Sequence, residues 1–417
     1  MPPAGDSLPG VGTAAATSRA PDTSGGAAPG QVTGSAARPW PVTGCGCVGC
    51  STALRGAARE PTGLRFGGVT VAPDGTVHPD GDPGARRAPA PGDGLAVGGV
   101  RVAGLPGPGG STALVLATAG RTVLWVPVAG GALPAQTLDA LAGAGLDGVA
   151  LSVAGTPSGT DLGLLAAGLA ALRGVDALAP GCDAVPIGLD HGLGDPARAS
   201  TRLASWGARL VADGDPWPLP DPVRCPVARR TLVLGPASSG KSARAEDLLR
   251  AEPAVLYAAT GPAPGPGDGE WAAKVAAHRA RRPPHWATDE DGDLAALLGR
   301  PGPPLLVDSL GTWVAAVLDR AGAWDEDADD RKVDTDVEAR MDELVGAWRS
   351  GARRVVAVGE EVGWGVVPAT SSGRRFRDAL GVLTRRLADQ SERVELVVAG
   401  VPLVLAGAAT GAGGSRA

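Results

Sequence analysis

The residues best suited to chemistry are a lysine and a serine that close a glycine-framed run, Gly235-Pro236-Ala237-Ser238-Ser239-Gly240-Lys241-Ser242. That spacing, G-x-x-x-x-G-K-[ST], is built for phosphate. Glycines let backbone amides curl around phosphate oxygens, and the start of a following helix adds unpaired N–H groups and a positive dipole. Lys241 can reach the β- and γ-phosphates as a compact charge, and Ser242 can hold Mg²⁺. A second acid–metal candidate, Asp308, ends the apolar run Leu305-Leu306-Val307-Asp308, where a carboxylate can bind Mg²⁺ or orient a hydroxyl. Together these residues predict a site for a nucleoside triphosphate.

A third signal is a histidine on a cationic helix. The chain has four histidines, His78, His191, His278 and His285. On a helix Lys274 lies four residues before His278 and Arg281 three after it, so both share its face. Such neighbours disfavour an imidazolium, and neutral imidazole is a nucleophile that the same cations could serve by holding a triphosphate. A solvated basic face with an incidental histidine is the other reading of this pattern. Lysine is otherwise scarce: of 38 basic residues only Lys241, Lys274 and Lys332 are lysines, as GC-biased coding would produce. A lysine that survives such bias is a candidate for work that the planar arginine fork cannot do.

These residues need elements to position them. Between Arg229 and Leu405 strand-like runs recur at Thr231–Leu234, Val255–Ala259, Leu305–Asp308, Val355–Val358 and Val394–Ala399, with helical patterns between them. Val337, Met341, Leu344, Val345 and Trp348 form one such stripe, which reads as core. Alternating strands and helices predict an α/β fold, a mainly parallel sheet covered on both faces. Upstream, strand-like runs at Thr112–Ala117, Thr122–Pro127 and Gly148–Val153 and helical patterns at Leu162–Leu172 and Ala197–Trp206 predict a second globular unit. The Gly/Pro/Asp-rich stretch Val71–Pro91 reads as turns and loops.

Composition sets the outer bounds. The 417 residues suggest two or three domains at about 100–200 residues each. Gly (65) and Pro (38) make about a quarter of the chain, so part of it is expected to be tail and linker. We expect a disordered tail over 1–37, a first domain over 38–212, a Pro-rich linker over 213–228, the nucleotide domain over 229–405 and a flexible tail over 406–417. No run approaches the 18 or so apolar residues of a membrane span, and no secretory signal precedes the globular part, which predicts a cytoplasmic protein. A formal charge of −6 without a basic tract argues against nucleic acid as a partner.

The stretch Arg229–Leu405 resembles the bifunctional adenosylcobinamide kinase / adenosylcobinamide-phosphate guanylyltransferase family. The resemblance rests on the phosphate loop followed by Ala245-Glu246, on Val255-Leu-Tyr-Ala-Ala-Thr260, and on His278-Arg-Ala-Arg-Arg-Pro-Pro-His285-Trp286. It extends through Asp308, Glu361-Val-Gly-Trp-Gly-Val-Val-Pro368, Arg375-Phe-Arg-Asp378 and Val397-Val-Ala-Gly400. It implies two reactions: phosphorylation of adenosylcobinamide by ATP or GTP, then transfer of GMP from GTP through a guanylylated histidine to give adenosyl-GDP-cobinamide. The matching histidine is His278, and the other matching nucleotide positions are Thr260, Gly261, Pro262, Arg279, Ala280, Arg281, Glu290 and Asp308. His285 reads as structural. The resemblance also implies a trimer. Glu360 stands where the family usually has Asn, and Thr384 and Arg385 where it often has Asn-Gln. These departures keep open a member with one activity, and a metal-sensing regulatory protein is the alternative from another class.

Residues from about Trp40 to Pro218 weakly resemble a metallo-β-lactamase-like α+β domain. There Cys45, Cys47 and Cys50 lie within six residues and suit a structural Zn²⁺, with a fourth ligand from Cys182, Cys225 or a histidine; three reduced thiols on a loop is the alternative. The His-x-His-x-Asp-His cluster of that superfamily is missing from the sequence, with Ser152, Asp190 and His191 as apparent remnants. No hydrolase activity is expected.

Overall fold

A computed structural model describes residues 32–34 and 64–407, apart from 68, 73–75, 80–83, 85, 129–130, 156–158, 190–192, 212–215, 218, 220–226, 266, 291–292 and 326–328. The N-terminal unit begins with β1 (Val32–Gly34), β2 (Leu64–Phe66), β3 (Val69–Val71), β4 (Thr76–Pro79), β5 (Arg86–Arg87), β6 (Gly94–Val97) and β7 (Val100–Pro106). It continues with β8 (Thr112–Ala117), β9 (Thr122–Val126), α1 (Ala135–Leu141), β10 (Leu146–Ser152), β11 (Ala154–Gly155) and β12 (Gly159–Thr160). Then come α2 (Leu162–Gly174), β13 (Leu178–Ile187), α3 (Pro196–Ser205) and β14 (Pro216–Trp217).

Among the described residues these strands form two six-stranded sheets, ordered β14-β1-β2-β3-β4-β5 and β13-β10-β9-β8-β7-β6, plus the β11–β12 hairpin. The first sheet is antiparallel throughout. The second is mixed, with β9, β10 and β13 parallel. Alternation along β9 shows the layering. Val123 and Trp125 point into the core shared with Phe66, Val69 and Val77 of the first sheet, whereas Leu124 joins Leu165, Leu169, Leu203 and Trp206 beneath the helices. The order is therefore sheet, sheet, helices.

Three expectations need correcting here. The stretch 71–91 supplies β4 and β5 to the first sheet, because Val77 is buried on alternate-facing backbone despite its Gly/Pro-rich surroundings. The expected linker 213–228 contributes β14, and Trp217 and Leu219 are buried in the inter-sheet core. Trp217 Nε1 donates to the buried Asp183 carboxylate at 2.7 Å, a partner that lies far off in sequence. Strand β1 likewise falls inside the expected tail.

The C-terminal unit contains β15 (Arg230–Gly235), α4 (Lys241–Leu248), β16 (Leu256–Ala259), α5 (Gly269–Arg281), β17 (Ala287–Asp289), α6 (Leu294–Gly299) and β18 (Leu305–Asp308). It ends with α7 (Leu310–Arg320), α8 (Asp330–Ser350), β19 (Val355–Glu360), α9 (Ser371–Ala388), β20 (Arg393–Val398) and β21 (Val401–Ala406). The sheet order is β17-β16-β18-β19-β15-β20-β21, parallel except for the last pair. Both faces are covered, which is why its strands read as unbroken apolar runs. Leu232, Leu234, Val355 and Ala357 face α7, α8 and α9, while Val233, Val356 and Val358 face α4. Strand order reverses beside β15, and ligands of open α/β sheets bind at such a switch point, outside the carboxyl ends of the strands.

The two units meet at α4. Arg202 of α3 pairs with Asp247 at 2.7 Å, Trp206 Nε1 donates to the Asp247 carbonyl at 2.7 Å, and Arg173 donates to the Ala251 carbonyl at 2.6 Å. Among the described residues no helix is long and apolar enough to cross a membrane.

Candidate active site

The site grows from the end of β15. Gly235 finishes the strand, the chain turns through 236–240, and α4 begins at Lys241. Ser238 (φ 58°) and Gly240 (φ 92°) adopt left-handed backbone, the conformation that turns successive amides toward one concavity. The loop is braced from outside by the Gly400 amide, which donates to the Ser239 carbonyl at 2.8 Å. Lys241 Nζ lies 3.3 Å from the Pro236 carbonyl, folded across the loop that it would share with phosphate. Gly235 has no room for a side chain, since a Cβ there would stand 2.5 Å from Ser239 Oγ and 2.7 Å from the Val397 carbonyl oxygen. Gly235→Ala is thus expected to weaken GTP binding about tenfold, or roughly 1.4 kcal/mol, as measured by titration with a fluorescent GTP analogue.

Asp308, at the carboxyl end of β18, gathers the other groups. Its Oδ1 accepts from Ser242 Oγ at 3.3 Å, and its Oδ2 accepts from Tyr257 Oη at 2.7 Å and lies 3.2 Å from His278 Nδ1. Burial opposes ionisation of this carboxyl, but the hydrogen bonds from His278, Tyr257 and Ser242 prevail and hold it below the usual carboxylate range. An ionised carboxylate only accepts, so the proton in the His278–Asp308 contact resides on Nδ1, which turns Nε2 away from Asp308. Burial and the neighbouring Asp308 charge push the Tyr257 phenol upward, so it stays a donor.

The remaining expected residues fall into three groups. Thr260, Gly261 and Pro262 follow β16 beside the start of α7: Thr260 Oγ1 accepts from the Ser309 amide at 2.8 Å, and Trp271 Nε1 donates to the Pro262 carbonyl at 2.9 Å. Arg279 and Glu290 pair with one another at the exposed rim, and Ala280 is exposed on α5. Arg281 turns the other way, donating to the buried Glu246 carboxylate at 3.0 and 3.2 Å, which holds its guanidinium above the usual range. The local charge reading of α5 therefore changes. Arg281 is engaged by Glu246, and Lys274 lies over the Trp271 ring at 5.5 Å, so the neighbour that matters to His278 is an anion, Asp308.

Sequence reasoning singled out neither Tyr257 nor Trp271 as a site residue. One signal existed for the first: Tyr257 is the single tyrosine in the chain. Glu360 accepts from the Gly311 amide at 2.9 Å at the start of α7, next to this cluster. His285 is exposed beside buried Trp286. In the N-terminal unit Ser152 is buried at the end of β10 and Cys182 is buried on β13. Cys45, Cys47, Cys50, Asp190, His191 and Cys225 lie outside the described residues.

Comparison with known proteins covers the C-terminal unit. The family described as cobinamide kinase / cobinamide phosphate guanyltransferase matches residues 231–405. The bifunctional adenosylcobalamin biosynthesis protein CobP of Pseudomonas aeruginosa is 41% identical over 186 residues, 43% of this chain and 98% of that protein. CobU proteins of the same description from Salmonella typhimurium and Escherichia coli are each 36% identical, over 41% of this chain and 96% of their own length. Nearly the whole of each relative is thus matched by the part of the chain that holds the phosphate loop, Asp308 and His278, and the chain belongs to the cobinamide kinase / cobinamide phosphate guanyltransferase family.

Proposed function

We propose that the cluster at the carboxyl edge of the seven-stranded sheet carries both activities of this family on one nucleotide site. The observation that carries the reading is the 3.2 Å contact of His278 with Asp308, the same carboxylate that meets Ser242 of the phosphate loop. In the kinase reaction the aminopropanol hydroxyl of adenosylcobinamide attacks the γ-phosphorus of ATP or GTP, the bond to the β–γ bridging oxygen breaks to release ADP or GDP, and the hydroxyl proton is lost to solvent. Loop amides between Ala237 and Ser242 and the Lys241 ammonium offset the charge that gathers on the phosphate oxygens. In the transfer reaction His278 Nε2 attacks the α-phosphorus of GTP and expels pyrophosphate. The cobinamide phosphate oxygen then attacks that phosphorus and releases His278. Splitting one displacement into two through a covalent adduct is nucleophilic catalysis, and Asp308 supports it by stabilising the charged ring.

Ser242 Oγ and Asp308 Oδ1 face one another as hard oxygen donors, a pair that fits Mg²⁺. When bound there, Mg²⁺ would supply charge neutralisation for the nucleotide phosphates. For the N-terminal unit, which has no counterpart within the matched length of the relatives above, we propose a lactamase-like sandwich without hydrolytic chemistry. Two face-to-face sheets with helices against one of them support that reading.

The test is incubation with GTP labelled at the α-phosphorus, followed by denaturation. Acid-labile, alkali-stable label on the protein is expected, as a phosphorus–nitrogen bond requires. A GTP-binding protein that takes up no label would overturn the transferase half of the reading.

A further inference from the structure

Helix α5 carries His278 yet buries none of its residues. Its apolar contacts are limited to half-buried residues such as Trp271, whose ring packs against Gly261, and around His278 the polar contacts close a circuit. Tyr257, buried on β16 to 3% exposure, donates through its hydroxyl to Asp308 Oδ2, the oxygen that faces His278 Nδ1. Its ring lies under the Arg282 guanidinium, 3.3 Å from the ring centre. Arg282 in turn donates from Nε to the His278 carbonyl at 3.1 Å and from Nη1 to Thr288 Oγ1 at 3.3 Å. The histidine is thus held at both ends, its ring through Asp308 and its backbone through Arg282, and both paths meet at one tyrosine.

We infer that Tyr257, with Arg282 stacked on it, is a positioning residue for the guanylyl-transfer reaction, fixing the Asp308–His278 pair while leaving the Ser242 side of Asp308 to the phosphate loop. The inference rests on the proposed role of His278 as the guanylylated residue. Its physical basis is the division of labour between the two carboxylate oxygens. Oδ1 meets Ser242, and Oδ2 meets Tyr257 and His278. A carboxylate pinned by a donor at one oxygen keeps that oxygen aimed at the imidazole; partners that orient metal-bound histidines in this way matter about 10–100-fold, and an effect of that order is expected here. Without the phenol hydroxyl, Asp308 can rotate toward the loop, and the ring loses its fixed acceptor. Without the guanidinium, α5 loses the stack and the carbonyl tie together.

The experiment compares wild type, Tyr257→Phe and Arg282→Ala in the full chain. One assay follows the rate of α-labelled GMP attachment and the other the rate of phosphate transfer from γ-labelled ATP to adenosylcobinamide. Tyr257→Phe keeps the ring and its stack. It is expected to slow GMP attachment by about tenfold or more and phosphate transfer by several-fold less than that, because Oδ1 of Asp308 keeps its Ser242 partner. Arg282→Ala is expected to slow attachment in the same direction. Attachment at the wild-type rate in Tyr257→Phe overturns the inference, as does an equal fall of both rates, which marks a merely structural residue. No label on wild type sinks the transferase reading itself and this inference with it, so the two failures are distinct. Should Tyr257→Phe fail to fold, the single tyrosine allows 3-fluorotyrosine to report on this position alone in the wild-type chain. A fluorine resonance that moves on guanylylation supports the coupling, and one that stays in place overturns it.

Discussion

His278→Ala is expected to lose covalent GMP entirely and to lower guanylyl transfer by on the order of 10⁴-fold or more, the scale on which removing a nucleophile acts when binding is kept. The prediction follows from what the variant leaves in place. The Gly400 brace on Ser239 and the Lys241 contact with the Pro236 carbonyl involve no residue of α5. Asp308 keeps its hydrogen bonds from Ser242 and Tyr257. GTP should therefore still bind, and phosphorylation of adenosylcobinamide should fall by less than about tenfold, because its nucleophile is the substrate hydroxyl. The fold should survive as well, since α5 contributes no buried residue to the core. Label counting, GTP titration and the kinase assay on one preparation decide the matter. A variant that still carries acid-labile GMP would show that another residue is the nucleophile.

What the sequence made legible here is what is contiguous in it. The phosphate loop is one run of eight residues between a strand and a helix, so motif, order and context are all local. The parallel sheet shows through its doubly buried strands. The convergence on Asp308 was out of reach from spacing alone: Tyr257 and His278 stand 51 and 30 residues away, and only the strand order β16-β18 and the path of α5 bring them together. The same applies to Arg281, whose partner Glu246 lies 35 residues upstream. A helical-face reading counts the neighbours at i−4 and i+3 and cannot see a carboxylate on another strand. Lysine scarcity was a partial guide. Lys241 is in the site, Lys274 lies over Trp271, and Lys332 is exposed on α8. Proline density misled at 213–228 because a buried Trp217 between two prolines is decided by its long-range partner, Asp183.

Beyond the site, the largest stability effect is expected at Glu395 on β20, which is fully buried. Arg244 of α4 binds it with two parallel bonds, Nε to Oε2 at 2.8 Å and Nη2 to Oε1 at 3.0 Å, and Arg393 adds Nε to Oε1 at 2.6 Å. Glu395→Gln removes the anion that two largely buried guanidinium groups share, and breaking a buried pair from one side costs about 3–5 kcal/mol. Burial alone would raise the Glu395 pKa, but the bonds from Arg244 and the charges of Arg244 and Arg393 bring it below the usual range. A depressed carboxyl contributes stability that is fully present above its unfolded value, 4.5, and is lost as pH falls through its folded one. Urea unfolding should therefore show the widest gap between wild type and Glu395→Gln at pH 7, narrowing steadily below about pH 4.5. Equal midpoints at pH 7 would mean that the network contributes nothing net. The network also runs onward, because Arg244 meets Asp247 at 3.4 Å, and Asp247 holds Arg202 of the N-terminal unit. The helix whose first residue is Lys241 is thus fixed from the sheet on one side and from the appended unit on the other. Loosening Arg244 should weaken GTP binding by less than it lowers stability, since the loop itself is braced separately by Gly400.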